Sequence, residues 1–153
     1  MRLLALDVGD RRIGVAVSDA TGLIATPLAV VRRTSKSQDF AKIARFAQEQ
    51  KAKGVIVGHP LNADGSAGPQ ARRTERYAHQ LLAALQTEGL DLPVVLWDEY
   101  MSTQRADVAM IAAGRKAKAR RDQIDAAAAA VILQDYLDDR REQDSWQNFQ
   151  EIG

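Results

Sequence analysis

Acidic side chains stand at three places where their neighbours read as buried. Asp7 closes the apolar run Leu3-Leu4-Ala5-Leu6, the pair Asp98-Glu99 follows Val94 to Trp97, and Asp125 precedes the alanine run Ala126 to Ala130. Carboxylates brought close together repel, and burying them is costly unless something compensates. A divalent cation compensates well, since Mg²⁺ and Mn²⁺ take oxygen ligands in octahedral geometry and keep several waters. Two such ions about 3.5–4 Å apart activate a water and stabilise the leaving oxygen in phosphodiester cleavage. Asp122, three residues before Asp125, shares roughly its helix face and is a candidate fourth ligand. Each residue also has a plainer reading. Asp7 suits a turn bonded to Gly9 or Asp10, Asp98 suits a cap or turn, Asp122 suits a helix N-terminus, and Asp125 suits solvent. Asp-x-Gly alone is a weak signal, and the combination in this order of elements is the stronger one.

The basic residues form two groups. Arg72, Arg73 and Arg76 fall near the start of a long helix, and the spacing of Arg72 and Arg76 puts them on one face, suited to phosphate contact. The stretch RKAKARR supplies Arg115, Lys116, Lys118, Arg120 and Arg121, while residues 135–144 carry acids. Net charge is only +1, so the segregation rather than the total is informative; a solvated loop is the plain alternative. His59 reads either as a general base or phosphate contact or as a loop histidine with a backbone partner. His79 reads as surface.

The elements that must position these groups follow from apolar runs and turn residues. Strands are expected over 2–8 and 12–18, joined at Gly9-Asp10, a hairpin signal because such turns call for positive φ. A third strand over 23–31 contains Pro27 and so belongs at an edge or a bulge. Ser35 or Ser37 caps a helix over about 37–50, with Phe40, Ile43, Ala44 and Ala47 on one stripe. A short strand over 55–57 comes after a helix, which suggests parallel pairing, and a loop covers 58–69. Pro69 opens a helix reaching about residue 87, and Leu92 to Trp97 make the fifth strand. Ser102 or Thr103 starts a helix ending near Gly114, the basic loop follows, and a last helix runs over about 121–139, with the polar end from 140 expected to fray. Alanine has little bulk, so the run 126–130 lets this helix lie close to the sheet and brings Asp125 toward the strand ends. Hairpin-linked strands first and helix-strand units later argue for one mixed α/β sheet with helices packed on it.

A chain of 153 residues suits one domain with a sizeable core. It has no cysteine, which excludes disulfides and thiolate metal sites. No apolar run approaches the roughly 20 residues of a membrane span, and the start does not read as a signal peptide. A soluble cytoplasmic protein without a membrane partner is expected.

Four segments, LLALDVGDRRIGVAVSD, VIVGHPLNADGSAGPQARR, DEYMST and IDAAAAAVILQDYL, resemble in order the signature segments of the YqgF family, also called RuvX. The resemblance covers about residues 2–138. It implies a ribonuclease H-like fold, α/β, with a five-stranded mixed sheet whose first three strands are antiparallel. The domain then spans 1–139, followed by a polar C-terminal tail over 140–153. It implies a nuclease acting on Holliday junctions or on the 5′ end of 16S ribosomal RNA precursor, with RNA or branched DNA as partner and Mg²⁺ or Mn²⁺ as cofactor. By position the family's catalytic and metal-holding acids fall on Asp7, Glu99 and Asp125. The resemblance also implies a basic position at Arg12, places Asn62, Asp64 and Gly65 beside the site, and draws the basic stretch 115–121 toward the nucleic-acid backbone. Two positions depart from the pattern. His59 stands where the family usually has an apolar residue, and Tyr100 replaces an arginine. Arginine grips a phosphate bidentately, whereas tyrosine stacks on a base.

Two other functions fit parts of the sequence. A sugar- or acetate-kinase-like ATPase also begins with an Asp-x-Gly hairpin but needs a second domain and another glycine-rich phosphate segment. A non-catalytic nucleic-acid-binding module for ribosome assembly or transcription fits the fold, though intact acids at all three positions argue against a decayed site. Junction cleavage calls for a symmetric homodimer, for which the edge of the third strand offers apolar residues.

Overall fold

Gly9 turns the chain at the end of the first strand, its N–H donating to Arg12 O at 2.9 Å. The described glycines with positive φ are Gly22, Gly65 and Gly89, so Gly9 serves closeness and not handedness. A Cβ there would lie 2.8 Å from Arg12 O, which no side chain tolerates. The computed structural model describes residues 1–100 and 117–152. The helix expected between Ser102 and Gly114, and the basic residues Arg115 and Lys116, lie outside these.

The elements run β1 (Leu4–Val8), β2 (Arg12–Ser18), β3 (Ala25–Arg32), α1 (Lys36–Glu49), β4 (Val55–Leu61), α2 (Pro69–Thr87), β5 (Val94–Tyr100) and α3 (Ala117–Ile152). They form a five-stranded sheet ordered β3-β2-β1-β4-β5. β1 pairs antiparallel with β2 and β2 with β3, while β4 is parallel to both β1 and β5. Pro27 stands on the edge strand, and the β2–β3 register shifts beside it, between Val15 and Ala16, so that both readings of that proline hold. Ser35 is the N-cap of α1, its hydroxyl accepting from Gln38 N at 3.2 Å. Among the described residues no helix is long and apolar enough to cross a membrane.

Three elements exceed their expected lengths. Gly58, His59 and Pro60 look like loop residues by type, yet they continue the ladder with β5 as far as Leu61↔Tyr100. The β1–β4 register ends at Leu6↔Val57, so Pro60 interrupts no bond on that side. Asp98 and Glu99 therefore belong to β5 itself. The last helix begins at Ala117 and continues past residue 140 to Ile152. No glycine or proline stands in that span to stop it, and residues 117–121 are good helix formers.

The sheet separates two cores. Leu4, Leu6, Val15, Val55 and Val57 pack beneath α1 and α2, while Leu3, Ala5, Ala16 and Ile56 pack with Ala129, Ile132 and Leu133 of α3. Successive residues alternate between these faces, as strand geometry requires.

Candidate functional site

Alternation decides where each strand-borne acid points. Ala5 of β1, Ala16 of β2, Ile56 of β4 and Trp97 of β5 all belong to the α3 core. Two residues further along, or two back in antiparallel β2, come Asp7, Gly14, Gly58 and Glu99, on that same face. Asp7 pairs directly with Gly14. A Cβ on Gly14 would lie 1.8 Å from Asp125 O, so the helix backbone rests on the glycine that faces Asp7. A Cβ on Gly58 would lie 3.2 Å from Glu99 Oε2 and 2.6 Å from Ile132 Cδ1. Asp7 and Glu99 thus lie on the sheet face that α3 covers, at the carboxyl ends of β1 and β5, and Asp125 lies above Gly14 on the same face; open sheets collect ligands at such strand ends. The thin alanine face that permits this approach is buried, Ala127 and Ala129 almost completely.

Asp98 points the other way. Its Oδ1 lies 3.2 Å from His59 Nδ1, and His59 Nε2 lies 2.9 Å from Glu75 Oε1 of α2. His59 is neither a loop residue bonded to backbone nor a base at the mouth of the acidic site. It is a buried strand residue that clamps α2 to the ends of β4 and β5 on the opposite face. His79 is exposed, as expected.

Arg12 meets Asp125 directly, Nε donating to Oδ2 at 2.5 Å. Hydrogen bond and charge together raise the Arg12 pKa further above its ordinary value. One step toward the sheet edge, Arg32, which pairs with Arg12 in register, lies 3.5 Å from Asp122. Two ion pairs therefore tie α3 to β2 and β3, and Asp122 is drawn to β3 rather than gathered with Asp7 and Glu99. Among the described residues no three Asp, Glu or His side chains close into a metal cage. The donor chemistry nevertheless fits a hard divalent ion, being carboxylate throughout. Gly14 and Gly58 also omit the Cβ atoms that would crowd Asp125 and Glu99.

The candidate nucleic-acid contacts within the described residues come just after β4, on α2 and on the first turns of α3. Asn62 follows β4 and donates from Nδ2 to Ser66 Oγ at 3.0 Å, and Asp64 accepts from the same hydroxyl at 2.6 Å, which lowers the Asp64 pKa. Gly65 supplies φ +85° in this turn. Arg72, Arg73 and Arg76 are all exposed on α2; Arg73 and Arg76 share a cleft that Arg72 does not line. Lys118, Arg120 and Arg121 stand on the first turns of α3 rather than in a loop. Tyr100 ends β5 opposite Leu61, and its side chain lies outside the described residues. Sequence reasoning missed Gly14, Gly58 and Glu75. A glycine inside a strand marks close approach of another backbone or group, and that signal was available for the first two.

The model of the family described as RuvX, Holliday junction resolvase, matches residues 1–139. This chain belongs to the RuvX family. A relative from Synechococcus sp. (strain JA-3-3Ab), provisionally named pre-16S rRNA nuclease, is 50% identical over 138 residues, which is 90% of this chain and 84% of that one. Another so named, from Thermoanaerobacter pseudethanolicus, is 39% identical over 142 residues, covering 92% and 99% of the two chains. Among solved structures, RuvC of Thermus thermophilus superposes with a TM-score of 0.57 at 18% identity, over 93% of this chain and 97% of RuvC. Fowlpox virus resolvase, solved with Holliday junction DNA, gives 0.54 at 11% identity over 91% and 98%. At such identities the likeness is one of fold, and that fold is ribonuclease H-like, as the four sequence segments implied.

Proposed function

We propose that this RuvX-family chain is a metal-dependent nuclease that hydrolyses phosphodiester bonds of structured nucleic acid, with Asp7, Glu99 and Asp125 as its catalytic carboxylates. The supporting observation is the placement of Asp7 and Glu99 on one sheet face beneath Asp125, with glycines at the two points of closest approach. These three residues would hold Mg²⁺ or Mn²⁺. When bound, such ions activate a water at neutral pH and neutralise the leaving oxygen. The chain's own part is to fix three carboxylates on rigid elements. Arg12 holds Asp125 in position and offsets its charge, and basic side chains on α2 and at the start of α3 align the backbone phosphates. Processing of 16S ribosomal RNA precursor and resolution of branched DNA both use this chemistry. For the second, we place a homodimer contact at the edge strand β3, beside exposed Leu23 and Ile24. A cytoplasmic setting agrees with a chain that carries no cysteine.

A second reading rests on the Arg12–Asp125 pair, which satisfies a carboxylate without any metal and suits a non-catalytic binding module. Cleavage of a four-way junction, single-stranded DNA and ribosomal precursor RNA, each with Mg²⁺ and with Mn²⁺, separates the two. The nuclease reading expects cleavage of at least one substrate, abolished by Asp7→Asn with binding retained. An Asp7→Asn protein that cuts normally in Mn²⁺ overturns the site.

A further inference from the structure

On the face of the sheet opposite the three carboxylates, a cleft of about 250 Å³ opens between the β1–β2 turn, the start of α1 and the first turns of α2. Its charged lining is Arg33, Lys36, Arg73 and Arg76 against the single acid Asp10. Arg33 is fixed in place, donating to Gly9 O at 2.9 Å, lying 3.9 Å from Asp39 and stacking 5.2 Å above the Tyr77 ring. Among the described residues Lys36, Arg73 and Arg76 have no ion-pair partner, so their charge faces the cleft unneutralised. The first turn of α2 adds N–H groups and the positive end of its dipole, since the N-cap Gly68 offers no side chain to them.

Tyr77 contributes an independent observation. It lines this cleft at only 4% exposure, and its hydroxyl is buried with no hydrogen-bond partner among the described residues. Burial pushes the Tyr77 pKa up, so the group stays protonated and able to donate. A buried hydroxyl left without a partner is costly, and native structures keep few of them. The cations of the cleft stand beside it, and an anion with several acceptor oxygens is the kind of partner this hydroxyl lacks.

We propose that this cleft is a phosphate-binding site, occupied by a phosphate of the nucleic-acid strand on which the carboxylates of the opposite face act. This rests on the nuclease reading for its source of phosphate but not for its chemistry. The volume exceeds that of a lone phosphate and admits the attached sugar. Val8 lines the cleft while its neighbour Asp7 faces α3, so the bound strand crosses the Gly9-Asp10 turn between the two faces. The cleft then gauges the strand at a fixed offset from the bond to be cut.

The test uses the full chain carrying Asp7→Asn, without divalent ions, so that nothing is cleaved. Its probes are inorganic phosphate, a 5′-phosphorylated oligonucleotide and the same oligonucleotide with a 5′-hydroxyl. Tyr77→Phe removes only the hydroxyl. It should weaken phosphate and oligonucleotide binding about tenfold, with Tm unchanged or raised. Arg73→Gln with Arg76→Gln should weaken oligonucleotide binding and lower the salt slope by about 1.4 for a single strand. Loss confined to the 5′-phosphorylated probe identifies a terminal phosphate, and equal loss for both an internal one; either upholds the site. Tyr77→Phe binding every probe as its parent does overturns it, even if the arginine variants weaken, because charge alone would then explain them. Inorganic phosphate binding that Tyr77→Phe weakens, with no oligonucleotide bound, overturns the assignment of the cleft to a nucleic-acid phosphate, while the nuclease reading stands or falls on the cleavage panel.

Discussion

Arg12 and Asp125 lie 113 residues apart in the chain and meet at 2.5 Å. Both side chains are about three-quarters covered, so the contact is a charge-assisted hydrogen bond rather than a solvated surface pair. In the proposed site, an arginine so placed would compete with a metal for Asp125 and would offset the repulsion among the acids without one. Arg12→Ala should therefore lower the Mn²⁺ concentration needed for half-saturation several-fold, read by direct Mn²⁺ binding without substrate. The metal-free protein should lose about 1–2 kcal/mol in denaturant unfolding. Weaker Mn²⁺ binding in this variant would mean that Arg12 orients Asp125 without competing for it. Neither the partner nor the distance was legible in the sequence, because a pairing of such separation exists only once the sheet and α3 have assembled. The three acids of the proposed site drew attention in the sequence, since Asp7 and Glu99 follow apolar runs and Asp125 precedes an alanine run.

At the scale of elements, strand alternation and two glycines govern the outcome. Gly14→Ala drives a Cβ into the backbone of α3, where no side-chain rotation relieves the clash. The cost should reach the upper end of the roughly 1–3 kcal/mol typical of overpacking, lowering Tm by about 6–12 °C in a domain of this size. Because the helix must move where Asp125 sits, cleavage should fall further than stability predicts, seen as a lowered kcat in protein still fully folded at the assay temperature. An unchanged kcat would detach Asp125 from the chemistry. Much at this scale was readable beforehand: a cap at Ser35 or Ser37, Pro69 at the start of α2, an edge or bulge at Pro27, and an alanine run thin enough for close packing. Element ends were not, because Gly58 and Pro60 have turn-like types and only the neighbouring strand shows that they sit in a ladder. That same extension carries His59 into β4 and sends Asp98 and Glu99 to opposite faces.

Over the whole molecule, one sheet presents two different surfaces at the same end. The α3 face carries Asp7, Glu99 and Asp125, while the α2 face carries the His59 clamp and the basic cleft. The cleft draws on residues from Val8 to Tyr77, and no local pattern announces such a gathering. Adjacent residues 98 and 99 thereby give an internal control that differs only in which side of β5 it faces. The most direct measurement is Mn²⁺ titration of the purified chain and of four single variants. Asp7→Asn, Glu99→Gln and Asp125→Asn should each weaken binding at least about tenfold, as loss of a ligating carboxylate does, while Asp98→Asn binds like the parent. If Asp98→Asn weakens the ion and Glu99→Gln leaves it untouched, the three carboxylates do not form one site and the account fails.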